Sequence, residues 1–129
     1  MLNCNIDQLT ATAILSPKDA ADTAAATSAY VDMTDYEGQI GVILNVGVVD
    51  AGSITFTFLT ASDGGGSGEA AVVPVSGAPT VVTTSNDPLT QVAVFEATQL
   101  KGFIKVVGTV ATGGVLVGYS AIGRKKYAT

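Results

Sequence analysis

The chain has 129 residues, 6 Lys plus Arg against 11 Asp plus Glu, a formal net charge of -5, one Cys, no His and no Trp. Without an imidazole, Ser-His-Asp and Cys-His nucleophile systems and His-containing zinc sites are excluded within it, and the lone Cys4 has no internal disulfide partner. The length is that of one domain with a real core, and 47% hydrophobic against 13% charged residues points to an exterior covered by partner subunits, with a quiet secreted β-domain as the alternative.

Met1 to Leu15 lacks a basic start, carries Asp7 and is interrupted by Asn, Gln and Thr, so no secretory leader is expected. Ser16-Pro17-Lys18-Asp19 has the form of a helix start, with Ser as cap and Pro in the first position, but Ala20 to Ala26 has no apolar stripe. A short helix and an extended segment both stay open there, and the expected division is an N-terminal arm over 1–28 followed by a β-sandwich domain over 29–129.

Thr27 to Met33 is a short β-like segment, closed by a turn over Thr34-Asp35-Tyr36-Glu37-Gly38. Gln39 to Val49 is a near-continuous apolar run, and Ser53 to Thr60 alternates Ile54, Phe56 and Phe58 with Thr55, Thr57 and Leu59. With Asp50-Ala51-Gly52 between them, the two read as a hairpin. Asp63-Gly64-Gly65-Gly66-Ser67-Gly68 has too little side chain to pack and is expected to be an exposed, mobile loop. Ala70 to Val75, with Pro74 marking an edge, and Val81 to Thr84 are further short strands. Asn86-Asp87-Pro88 marks a turn into a strand over Thr90 to Ala97, and Lys101-Gly102 turns again.

Phe103 to Ala111 and Val115 to Ile122 flank Thr112-Gly113-Gly114 and read as a second hairpin, with Ile104, Val106 and Val110 on one face and Leu116 and Ile122 on another. The uncharged stretch Val106 to Gly123 approaches membrane length, but its glycines and β-branched residues fit two strands and a turn better, so no membrane partner is expected. Six to eight short strands without a sustained helical period give an all-β fold: an antiparallel β-sandwich or jelly-roll-like barrel with an extended N-terminal arm.

All eleven acidic groups and only Lys18 lie in residues 1–100, whereas Lys101, Lys105, Arg124, Lys125 and Lys126 follow with no acid among them. Such polarity suits docking of a basic end on an acidic neighbour, or simply keeps a terminal tail soluble. Asp32, Asp35 and Glu37 match no calcium loop or glycosidase pair and read as solvated turn acids. The glycine loop lacks the phosphate-loop pattern, and one basic cluster at the end of an acidic chain gives no footprint for nucleic acid. No constellation of acid, base and orienting group is discernible, so no enzyme activity, cofactor or metal is expected, which leaves binding or assembly.

The block Ala29-Tyr30-Val31-Asp32-Met33-Thr34-Asp35-Tyr36-Glu37-Gly38-Gln39-Ile40-Gly41-Val42 and the end Phe103-Ile104-Lys105-Val106-Val107-Gly108-Thr109-Val110, through Gly113-Gly114 to Ala121-Ile122-Gly123-Arg124-Lys125-Lys126-Tyr127, carry a resemblance. A short strand ending in Asp and an apolar residue, a Tyr-x-Gly turn into a buried strand, and a final hairpin with an aromatic-basic tail resemble the capsid decoration, or cement, proteins of tailed bacteriophages. The likeness spans about residues 29–60 and 100–127; Ser76 to Pro88 departs from it. It implies a structural virion protein on the outer surface of the head, which binds the major capsid protein and stabilises contacts between capsomers, with a homo-oligomer, a trimer by preference, and no catalytic residue.

On that reading the expected partner-binding residues are Leu2, Ile6, Leu9, Ile14 and Leu15 of the arm and Arg124, Lys125, Lys126 and Tyr127 of the tail. Deleting residues 2–15 is then expected to abolish attachment and leave the fold intact. Two alternatives come from other classes. One is a receptor- or glycan-binding module of a phage tail or fibre, contacting through Asp63 to Gly68 and Ser76 to Pro88. The other is a small hydrolase using Asp32, Asp35 or Glu37.

Overall fold

A computed structural model describes residues 8–126. Among the described residues nine strands follow in order: β1 (Leu9–Ala20), β2 (Val31–Asp32), β3 (Tyr36–Val49), β4 (Ser53–Ala61), β5 (Ala70–Val72), β6 (Val82–Thr83), β7 (Leu89–Glu96), β8 (Phe103–Ala111) and β9 (Val115–Lys125), with a 3-10 turn at Ala97–Gln99. One sheet has the order β1-β9-β3-β7; the other has β2-β8-β4-β5, with β6 also on β4. All the pairings are antiparallel.

This order is the connectivity of a jelly roll. Pairing β1 with β9, β2 with β8, β3 with β7 and β4 with β5 and β6 makes one long ribbon, and rolling that ribbon brings β9 beside β3 and β8 beside β4. Of the two architectures the alternation allowed, the register therefore selects the jelly roll, built as a two-sheet sandwich.

Both expected hairpins are corrected by the register. Val49 pairs with Val115 and Ser53 with Ala111, so β3 and β4 run as one bent strand along β8 and β9 instead of folding back on themselves. Asp50 to Gly52 and Thr112 to Gly114 are adjacent corners that carry the chain from one sheet to the other, joined by Asp50 N donating to Gly114 O at 3.0 Å. Gly52 sits at φ 77°, and a Cβ there would fall 1.7 Å from Ala111 O. Alternation dictates which face a strand buries, but not which strand lies beside it, and a short glycine turn serves either a hairpin or a corner.

The inner rows of the two sheets meet in one core. Ile40, Val42, Leu44 and Val46 of β3 and Ala93 and Phe95 of β7 face Ile54, Phe56 and Phe58 of β4 and Ile104 and Val106 of β8. Two aromatic contacts bridge the sheets edge-to-face, Phe56 on Tyr119 at 5.7 Å and Phe58 on Phe95 at 4.9 Å between centroids.

The arm expected over 1–28 is in large part a strand of the domain. From Leu9 to Ala20 the chain pairs with β9, and Ser16 to Asp19, the candidate helix start, ends that strand. Ile14 is 8% exposed and inside the core, and Leu15 packs against it, so these two expected docking anchors already have an apolar partner in their own chain. Thr12 Oγ1 lies 2.6 Å from the hydroxyl of buried Tyr36. The uneven pattern of residues 9–20 concealed a strand because its register shifts between Ala13 and Leu15 and again between Leu15 and Lys18, which breaks the period of two.

Residues 21–28 close one end of the sandwich through hydrogen bonds. Ser28 N donates to Val106 O at 2.9 Å and its Oγ accepts from Val106 N at 3.0 Å, Thr23 Oγ1 accepts from Val110 N at 3.1 Å, and the Tyr119 hydroxyl donates to Ala26 O at 2.7 Å. Every buried side-chain polar atom among the described residues has a partner.

Candidate interaction surface

Exposed side chains divide the two outer faces by chemistry. On the β2-β8-β4-β5 sheet the outward row of β4 is Ser53, Thr55, Thr57 and Leu59, and that of β8 includes Lys105 and Thr109. On the β1-β9-β3-β7 sheet the outward positions include Gly41, Ile43 and Gly47 of β3, Leu116, Gly118, Ser120 and Ile122 of β9, and Val92 of β7. Gly41 lies beneath its neighbours, its would-be Cβ 3.3 Å from Ile122 Cγ2 and 3.4 Å from Val92 Cγ1, so these two side chains close over β3 from either side. Gly47 is covered likewise by Leu116 at 3.1 Å.

Of the six large apolar side chains that stay exposed among the described residues, Val48, Val92 and Leu116 belong to this second face. The others, Val73, Val75 and Val81, lie in the connection between β5 and β6: Val73 directly follows β5, Val81 directly precedes β6, and between them the chain touches β7, where Val75 N donates to Val94 O and Thr80 N to Gln91 Oε1. Where β1 rises over β9 at Pro17, an open groove of about 350 Å³ is lined by Pro17, Lys18, Asp19, Asn45, Gly47 and Leu116 among others. It is open to solvent, which suits contact with a surface more than enclosure of a small molecule.

Part of the basic end is engaged within the chain. Arg124 Nε lies 3.4 Å from Glu37 Oε1, its cross-strand neighbour, and Lys125 Nζ sits 5.9 Å from the Tyr36 ring centroid. Lys126 N donates to Asp35 O at 2.7 Å. Asp32 accepts from Thr34 Oγ1 and N, and these bonds, with the attraction of Lys125, hold its carboxyl below the usual range. The acidic turn and the basic end, far apart in sequence, thus share one end of the fold. Leu9, half-buried, stands opposite Arg124 in the β1–β9 ladder. Leu2, Ile6, Tyr127 and Cys4 lie outside the described residues.

The glycine loop is exposed as expected, and it is also a hydrogen-bonded unit. Asp63 Oδ1 accepts from Gly65 N at 2.8 Å and Ser67 N at 3.1 Å, and the hydrogen bonds of Ser67, then Gly65, hold its carboxyl low. Lys101 Nζ donates to Gly68 O at 2.7 Å. Sequence reasoning missed Tyr30, which pins this loop to the sheet. Its hydroxyl donates to Glu69, Lys105 Nζ lies 5.4 Å from its centroid, and Gly66 packs at its ring edge. Partial burial first, then the Glu69 carboxylate as acceptor and negative neighbour, pushes the Tyr30 phenol up to about 12. With its hydroxyl engaged and a lysine over its ring, Tyr30 offers no open stacking platform for a sugar. Among the described residues no three His, Cys, Asp or Glu side chains are grouped to hold a metal ion, and no helix is long and apolar enough to cross a membrane.

No protein-family model matches the chain, and no curated protein matches it.

Proposed function

We propose that this chain is a structural virion component, a decoration or cement protein on the outer surface of a phage head that binds the major capsid protein and stabilises contacts between capsomers. The observation that carries the reading is the make-up of the β1-β9-β3-β7 face: Val48, Val92 and Leu116 stay exposed there with half-buried Ile43 and Ile122 among them, while the exposed residues of β4 and β8 on the opposite face are Thr55, Thr57, Thr109 and Ala111. Contiguous apolar surface on a small domain marks a contact with another protein. The apolar face is the attachment side and the threonine face the solvent side. The jelly roll and the resemblance of residues 29–60 and 100–127 to decoration proteins support the same role. Because Ile14 and Leu15 belong to the core, attachment rests on Val92, Leu116 and their neighbours instead of on an arm.

The test has two steps. Copy number in purified particles is compared with that of the major coat protein: comparable abundance supports decoration, a few copies supports a tail or fibre component, and absence ends the virion reading. Then Val92→Glu with Leu116→Glu is added to particles stripped of the protein, beside Thr57→Glu as control. Loss of binding in the first variant alone supports the assigned face. Equal binding by both overturns it.

A further inference from the structure

Three of the four sheet edges are blunted against addition of another strand. β7 is overlaid by Val75 and Ser76, with Val75 N donating to Val94 O at 2.8 Å and Val94 N to Ser76 O at 2.9 Å. At the margins of the other sheet β2, β5 and β6 are only two, three and two residues long. The fourth edge is β1, and its protection is confined to its second half, which holds Pro17, Lys18, Asp19 and both shifts of register. Its first half, residues 9–13, runs in unbroken register from Leu9 opposite Arg124 to Ala13 opposite Ser120, carries no charge and no proline, and pairs on one side only among the described residues.

We propose that residues 9–13 pair antiparallel with the same segment of a second copy of this chain, about a two-fold axis at Ala11, joining two four-stranded sheets into one of eight. Self-complementarity argues for a second copy over any other strand. Thr10-Ala11-Thr12 reads the same in both directions, so the axis sets Ala11 against Ala11 and Thr10 against Thr12, and Thr–Thr is a favourable cross-strand pair. Ala11 and Ala13 are exposed and small, so no side chain obstructs close approach. Charge argues the same way. Two copies at net charge -5 repel at long range, and this edge is a stretch where neither brings a charge against its like, while a charged partner strand would find no counter-charge here. The axis stands perpendicular to the sheet, so the apolar faces with Val92 and Leu116 turn to the same side and form one doubled surface.

Five residues from each copy bury less than the roughly 1,200 Å² of a standard interface, so the dimer is weak and concentration-dependent. Sedimentation equilibrium of the free protein from about 10 µM to 1 mM reads it directly. The expected result is a mass rising toward twice that of the chain, and a double variant Ala11→Lys, Ala13→Lys that stays monomeric with an unchanged urea midpoint. Should that variant unfold, Ala11→Cys in a Cys4→Ser background is expected to oxidise to a disulfide-linked dimer across the axis. A wild-type chain monomeric throughout, a trimer, or a dimer undiminished by both lysines overturns the proposal. Since the measurement uses free protein, its outcome is separate from that of the capsid reading.

Discussion

Replacing Tyr119 with Phe removes one oxygen from the centre of the molecule. Tyr119 is 2% exposed, its ring packs edge-on against Phe56, and its hydroxyl donates to the carbonyl of Ala26, itself fully buried. The Phe variant keeps the ring contact, so the cost is that of a buried carbonyl left without a donor, about 1–3 kcal/mol. Tyr36→Phe is the internal comparison: the hydroxyl of Tyr36 meets Thr12 Oγ1, a half-buried group that water can satisfy, and about 1 kcal/mol is expected there. Urea unfolding at neutral pH reads both. The alkaline limb adds a second readout, because burial raises the Tyr119 pKa well above the ordinary value of 10.0. A phenol whose folded pKa is raised contributes stability that is complete below the unfolded value and is lost as pH rises from there toward the folded one. Wild-type stability therefore falls above pH 10, and Tyr119→Phe falls less steeply. A Tyr119→Phe cost no greater than that of Tyr36→Phe, with an unchanged alkaline limb, would refute the assignment of Tyr119 as the latch on residues 21–28.

Gly52→Ala drives a Cβ to 1.7 Å from Ala111 O at the stacked corners, and a loss of more than about 3 kcal/mol in urea unfolding is expected. Thr112 holds φ at 77° with a β-branched side chain, so Thr112→Gly relieves strain and raises the melting temperature, by about 1 kcal/mol in stability terms. Deleting residues 2–15 removes the first half of β1 together with the buried Ile14 and produces an unfolded or aggregated chain by circular dichroism. Under the proposed role, attachment to stripped capsids at about 1 M salt remains close to that at 0.1 M, because apolar burial is not screened.

Strand positions were legible in the sequence, and strand partners were not. The alternation of Ile54, Phe56 and Phe58 placed β4 within a residue, and Phe103 to Ala111 coincides with β8. Pairing Gln39–Val49 with Ser53–Thr60 failed because the turn between them is equally able to change sheets, and the decision lies with β8 and β9, some sixty residues away. β1 was concealed by its bulges. The apolar outer face was half legible: Leu116 and Ile122 were seen to share a face, but that the face points to solvent follows only from the roll of the ribbon. Tyr30 carried no local signal, since its partners Glu69 and Lys105 are distant in sequence.

The separation of charge along the chain has a structural explanation that bears on the proposed attachment. Antiparallel pairing of β3 with β9 sets Glu37 opposite Arg124 and Tyr36 opposite Lys125, so the basic end folds back onto the acidic turn that opens β3. An exposed pair of this kind is worth at most about 1 kcal/mol, too little to hold the fold, but an outside carboxylate must displace Glu37 before it can pair with Arg124. Under the proposed role, a chain that pairs Arg124 internally and leaves Val92 and Leu116 exposed is held by buried area, with charge deciding orientation at most.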